Sequence, residues 1–213
     1  MPRNKTDTHK KIVTSAKKEF LEQGFEKASM RKIAAQAGIT AGGLYKHFPT
    51  KEAMFEALVE PTLKEYFRRD IALTNIAIQQ IANRNFDLFR MASDNSNREV
   101  LDYIYHHFDE FQLMFNRSSG TKYETIRHDL VMLEVSGAKR LIEALQQQGI
   151  PIQKFNDEQL HILYSTALTP LFEIITHSYP YEKALTFIDL MADAMNFGWE
   201  KIMNPQKLNH LLF

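Results

Sequence analysis

The stretch Ser29–Phe48, SMRKIAAQAGITAGGLYKHF, reads as two short helices joined by a tight turn. Ile33, Ala34 and Ala37 give the first helix an apolar face. Gly38 is the residue there that adopts a left-handed conformation without steric cost, and Ile39 plugs the corner. Thr40 has the side chain of an N-cap. Leu44 and Phe48 bury the second helix, while Tyr45, Lys46 and His47 point elsewhere. This is the pattern of a helix-turn-helix, whose second helix enters a DNA major groove. An ordinary helical hairpin has the same outline. It has no reason, however, to carry Gly42 and Gly43 in the first turns of its second helix, at about 1 kcal/mol each relative to Ala. A helix whose backbone approaches a phosphate or a base edge does.

Charge points the same way. The chain of 213 residues has zero formal net charge. Residues 1–51 hold eleven Lys or Arg against four acids, a net +7, and the remainder carries the compensating −7. A basic N-terminal module on an acidic body suits a nucleic-acid reader with a separate second domain. Hydrophobic residues make up 44%, enough for a core. The absence of Cys excludes disulfides, thiol catalysis and thiolate zinc sites. No apolar run approaches a membrane span, and the polar N-terminus MPRNKTDTHKK lacks a signal peptide's apolar stretch. A soluble cytoplasmic protein is the expectation.

Outward from the central stretch, Ile12, Ala16, Phe20 and Leu21 recur at helical spacing, and Gly24 ends that helix. Phe25 completes the small core, Ser29 caps the second helix and Thr50 the fourth. Residues 2–5 form a basic arm. Lys51 opposes the macrodipole at the start of helix 4 unless it meets a phosphate beside that terminus.

Residues 24–55, GFEKASMRKIAAQAGITAGGLYKHFPTKEAMF, resemble the DNA-binding domain of the TetR family of bacterial transcriptional regulators. The match is carried by Gly24-Phe25, Ser29, Ile33-Ala34, Ala37-Gly38-Ile39-Thr40, Gly42, Leu44-Tyr45, His47-Phe48 and Lys51-Glu52, and covers about residues 6–60. Ala28, Ala41 and Gly43 depart from it, standing where Thr, a longer basic side chain, and Thr or Ser are common. The recognition helix is therefore bare. The resemblance implies DNA contacts from Arg31, Thr40, Ala41, Gly42, Gly43, Tyr45, Lys46, His47 and Lys51. Tyr45, His47 and Lys51 are expected on phosphates, which set register rather than sequence preference. DNA shape supplies part of the specificity.

The rest of the chain has helical periodicity throughout and no convincing strand. Thr62–Arg84 is helical, and Pro61 either kinks one long helix or opens a new one. A short helix over 86–92, a loop over 93–97 and a capping box of Ser96 with Glu99 follow. Arg98–Asn116 reads as one aromatic helical run, Lys122–Gln148 as a long helix, and Asp157–Ser178 and Tyr181–Met203 as the last two. The fold class is all-α: a three-helix head over residues 1–50, then a helical effector-binding and dimerisation domain over 51–213, with helix 4 from about residue 51 as connector.

The final helix is apolar on several faces, which calls for a partner or a central place in a larger core. The resemblance implies a homodimer through a four-helix bundle. Its interface residues would be Leu160, Leu163, Ala167, Leu171, Ile175, Ala184, Phe187, Ile188, Met191, Met195 and Trp199. Residues 61–213 carry 19 of the 24 aromatics. An apolar or aromatic effector would sit among Tyr103, His107, Phe111, Met114, His128, Met132, Tyr164 and Phe172. Adjacent His106 and His107 face about 100° apart on a helix and do not converge on one ion. No cofactor, metal, membrane partner or enzymatic activity is expected. Three readings stand: a dimeric repressor of a palindromic DNA operator released by a small molecule, a DNA-binding protein whose body recruits another protein, and a helical enzyme or binding module.

Overall fold

The computed structural model describes residues 5–85 and 98–203, with side chains over 6–85 and 98–192. Among these residues the structure is helical, without strands. The helices are α1 (Lys5–Lys27), α2 (Met30–Gln36), α3 (Ala41–His47), α4 (Lys51–Ala82), α5 (98–106), α6 (Phe108–Asn116), α7 (Ile126–Gln147), α8 (Asp157–Thr176) and α9 (Tyr181–Met203). The segment 86–97, including Ser96 of the expected capping box, lies outside the described residues.

Two compact units result: one runs to Glu65 and includes His107–Ile126, the other takes Tyr66–His106 and the chain from Arg127 onward. The first unit is therefore not contiguous in sequence. α6 and the turns after it cluster with the N-terminal helices. The Phe25 N–H donates to the Arg117 carbonyl at 2.8 Å, and Lys17 Nζ lies 2.5 Å from Glu110. The core holds Ile12, Ala16 and Phe20 of α1, Ile33 of α2, Leu44 of α3 and Phe55 of α4, all fully buried. An aromatic cluster ties them: Phe55 meets Phe20 and Phe25 edge-on at 5.2 and 5.5 Å, and Tyr123 at 6.0 Å. Three short helices bury little surface by themselves, so the added apolar residues of α6 have a clear energetic role.

Several boundaries depart from the sequence reading. The run Arg98–Asn116 is broken at His107, whose backbone leaves the helical region (φ −122°, ψ 32°). The long helix begins at Ile126 rather than Lys122, because residues 122–125 form turns that bury Tyr123. Pro61 opens no new helix; α4 runs through it for 32 residues. α8 ends at Thr176, and its start carries a capping box, Asn156 with Gln159, that the sequence reading did not single out.

In the second unit α4 and α7 meet along a polar seam. Thr74 Oγ1 is 3.3 Å from where a Cβ on Gly137 would stand, Arg140 donates to Asn75, and the Asp70 and Glu134 carboxyls hydrogen-bond to each other. Burial, and then the neighbouring Asp70, push the Glu134 carboxyl up to about 8. The folded protein thus keeps this proton to a higher pH than the unfolded chain, whose Glu titrates near 4.3. The contribution to stability is complete at low pH and is lost as pH rises to about 8. Denaturant unfolding of Glu134→Gln is expected to vary less with pH between about 6 and about 9 than that of the parent. Equal slopes would show that the proton is not held.

Candidate nucleic-acid interface

The turn between α2 and α3 is built from backbone bonds that its sequence specifies. Ser29 Oγ accepts from the Lys32 N–H, and the buried Glu19 carboxylate takes the Ser29 N–H at 3.3 Å and the Lys32 ammonium at 2.6 Å. α2 ends in a Schellman arrangement: Gly38 sits at φ +68°, its N–H reaches the Ala35 carbonyl, and the Ile39 N–H reaches the Ala34 carbonyl. A residue with a side chain would be strained at that φ. Thr40 Oγ1 then accepts from the Gly43 N–H at 3.1 Å, capping α3.

α3 buries Leu44, and the following Phe48 closes the corner. This leaves Tyr45, Lys46 and His47 exposed. Arg31, Tyr45 and Lys46 make no hydrogen bond or ion pair among the described residues, so their donors are available to an outside partner. The two glycines have different surroundings. A Cβ on Gly42 would meet nothing within 4 Å, whereas one on Gly43 would lie 3.2 Å from the capping Thr40 hydroxyl. Gly43 thus has a reason internal to the head, and only Gly42 is bare without one. Thr40 is exposed and Ala41 half-buried at the start of the helix.

Lys51 is placed differently from the others. Its Nζ donates to the Glu26 carbonyl at 2.9 Å and the Ala28 carbonyl at 3.4 Å, and lies 4.6 Å from the centre of the Phe25 ring. It caps the end of α1, and one donor of its ammonium remains uncommitted by these bonds. α4 is capped by Thr50, which accepts from the Ala53 N–H at 3.0 Å. His9, which the sequence reading passed over, stacks on Phe48 at 5.6 Å and approaches His47 at 6.1 Å. Nothing in local sequence marks it, since 38 positions separate the two histidines.

The residues expected around an effector fall in different units. His107, Phe111 and Met114 belong to the first, where Phe111 and Met114 are fully buried. Tyr103, His128, Met132, Tyr164 and Phe172 belong to the second. There His128 and Met132 are exposed, and the His128 ring lies 5.6 Å from that of His161. A cavity of about 270 Å³ does occur in the second unit, and Tyr103 is the one expected residue that lines it. Of the residues expected at a dimer interface, Leu160, Leu171, Ile175 and Ala184 are buried within the protomer. Leu163, Ala167, Phe187, Ile188 and Met191 are half-buried, and the side chains of Met195 and Trp199 lie outside the described residues. Among the described side chains of α8 and α9, the large exposed apolar ones are Ile162 and Leu190. No described helix is long and apolar enough to cross a membrane.

Residues 12–58 match the family model described as bacterial regulatory proteins, tetR family. The nucleoid occlusion factor SlmA of Photobacterium profundum is 39% identical over 62 residues, 28% of this chain and 32% of that protein. The HTH-type transcriptional regulator UidR of Escherichia coli K12 is 40% identical over 52 residues, 24% of this chain and 26% of that one. The chain thus spans about a third or less of the length of these two relatives. Two solved structures share the fold over most of their length. The TetR family transcriptional regulator PfmR of Thermus thermophilus has a TM-score of 0.55 at 20% identity, over 84% of this chain and 96% of its own. NalD of Pseudomonas aeruginosa, a secondary repressor of a multidrug efflux pump, has 0.55 at 15% identity, over 87% and 94%. The capped helices, the Gly38 turn and the exposed face of α3 all fall within residues 12–58, the segment that matches the model of the tetR family of bacterial regulatory proteins.

Proposed function

We propose that the protein is a homodimeric, cytoplasmic DNA-binding transcriptional regulator that represses from a palindromic operator and is released by a small-molecule effector held in its helical body. The observation that carries DNA binding is the face of α3, where Tyr45 and Lys46 stand exposed with unspent donors beside the open backbone of Gly42. Two heads in a two-fold dimer match a palindrome. Release requires that the effector bind the conformation unfit for DNA more tightly; a tenfold loss of operator affinity takes about 1.4 kcal/mol of coupling. The domains are a reading head over 1–50 and an effector and dimer body over 51–213, with α4 as connector.

The test is binding of the full chain to the DNA upstream of its own gene, followed by fluorescence anisotropy. Lys46→Ala is expected to weaken binding on all sequences alike and to lower the salt slope by about 1 per head. Loss of preference at a single base pair would instead make Lys46 a base reader, and unchanged binding would remove α3 from the interface. Gly42→Ala gives a sharper contrast. With space for the methyl group, it is expected to raise stability by about 0.5–1 kcal/mol while weakening DNA binding. Unimpaired binding would mean that the backbone at Gly42 does not approach DNA.

A second reading, in which the body recruits a protein partner, draws on the exposed Ile162 and Leu190 and on the likeness of the head to SlmA. Operator binding insensitive to every small molecule, together with a protein partner retained by α8 and α9, would favour it.

A further inference from the structure

On the surface of the second unit, His128 of α7 and His161 of α8 bring their rings to 5.6 Å between centres, tilted by 52°. A metal ion about 2.0 Å from an imidazole nitrogen stands about 3.2 Å from the centre of that ring, so two rings on a trigonal ion lie about 5.5 Å apart. The observed spacing fits one ion between the two rings, and the tilt is not that of a stack. His128 is exposed and makes no hydrogen bond or ion pair among the described residues. His161 is half-buried, and Ser165 Oγ lies 3.5 Å from its Nε2, which leaves Nδ1 for an ion.

A third donor stands one turn further along α7. Met132 follows His128 by four positions, the spacing that puts two side chains on one helix face. It is 45% exposed, so its sulfur is open to an ion from solvent. A lone surface Met is ordinary, but one beside two converging imidazoles adds a soft ligand to them. The donor set then decides the ion. It holds two nitrogens and one thioether, and no cluster of three or more His, Cys, Asp or Glu side chains able to hold an ion occurs among the described residues. Calcium and magnesium, which take oxygen ligands, have no cage here. Zinc sites use three or four nitrogen, thiolate or carboxylate ligands, more than these two imidazoles supply. Copper(I) is the soft ion that a thioether selects. The chain has no Cys to compete for it. The other close pair, His9 with His47 at 6.1 Å, has no Met within four positions of either ring.

We propose that His128, His161 and Met132 form a surface site for one copper(I) ion. The ion enters and leaves as copper(I), with no change of oxidation state. The site goes beyond the regulator reading and depends on neither operator nor effector.

The experiment is an anaerobic titration of the full chain with copper(I) against the chromophoric chelator bicinchoninate, at about pH 7.5, where protons compete little for free imidazole. The chain is expected to withdraw about one copper(I) per protomer from the chelator. Losing a group that merely orients a ligand costs about 10–100-fold in metal affinity, so His128→Ala and His161→Ala should each weaken binding by about 100-fold or more. Met132→Leu, which keeps size and helix propensity, should weaken copper(I) by about tenfold and leave the weaker zinc(II) binding as in the parent, an outcome that misfolding cannot give. His9→Ala should change nothing. No withdrawal of copper(I) from the chelator, parental affinity in His128→Ala, Met132→Leu indistinguishable from the parent, or a loss in His9→Ala as large as in His128→Ala would each overturn the proposal.

Discussion

Phe55→Ala is expected to lower the unfolding free energy by about 3–5 kcal/mol. Phe55 has no exposed surface and touches Phe20 and Phe25, which lie on either side of Gly24 (φ +74°) in α1, and Tyr123 before α7. Its removal opens a cavity that rigid aromatic neighbours do not refill, so the loss of contacts adds to the loss of burial. Domains of this kind have about 5–15 kcal/mol in total, and the variant is expected to lose DNA binding at growth temperature through unfolding of the head. Urea denaturation followed by circular dichroism measures it. A loss under about 1 kcal/mol would show that the cluster collapses around the gap.

The second large effect is electrostatic. Operator affinity is expected to fall by about 10²-fold between about 50 and about 200 mM salt, if each head neutralises about two phosphates and two heads act together. Arg31 and Lys46 are the free cations of this surface, and backbone N–H groups supply further contacts without adding to the slope. Lys51 is not counted, because its ammonium is already held by the Glu26 and Ala28 carbonyls. Lys32 is not counted either, because it neutralises the buried Glu19. An affinity independent of salt would contradict phosphate contacts altogether. A slope smaller by half would mean that one head binds at a time.

Much of the head is legible in its sequence because its structure is local. Ser29, Thr40 and Thr50 cap helices through bonds to N–H groups three residues away, and Gly38 turns the chain through its own φ. Each such feature depends on a residue type and its near neighbours. The alternation of Leu44 and Phe48 with Tyr45, Lys46 and His47 separates core from surface by helical period alone.

What lay outside that reach involves partners far apart in the chain. Phe111 and Met114 look alike in sequence whether they line a pocket or a core, and their burial in the first unit follows from α6 packing on α1. The late start of α7 goes with the burial of Tyr123, whose ring meets Phe55 and whose hydroxyl donates to Glu60, partners more than sixty positions away. Lys51 has the same charge whether it faces DNA or the end of α1; the carbonyls that hold it lie 23 and 25 positions away. Asp70 and Glu134 are 64 positions apart and were unremarkable among many surface acids until the close approach at Gly137 brought α4 and α7 together. The sequence by itself determined the helices, their caps and the exposed face of α3, because backbone hydrogen bonds and helical period are near-neighbour properties. Only the tertiary structure decided which apolar residues are core, which lysine is spent and where a buried proton is shared, because those depend on distances that chain order does not encode.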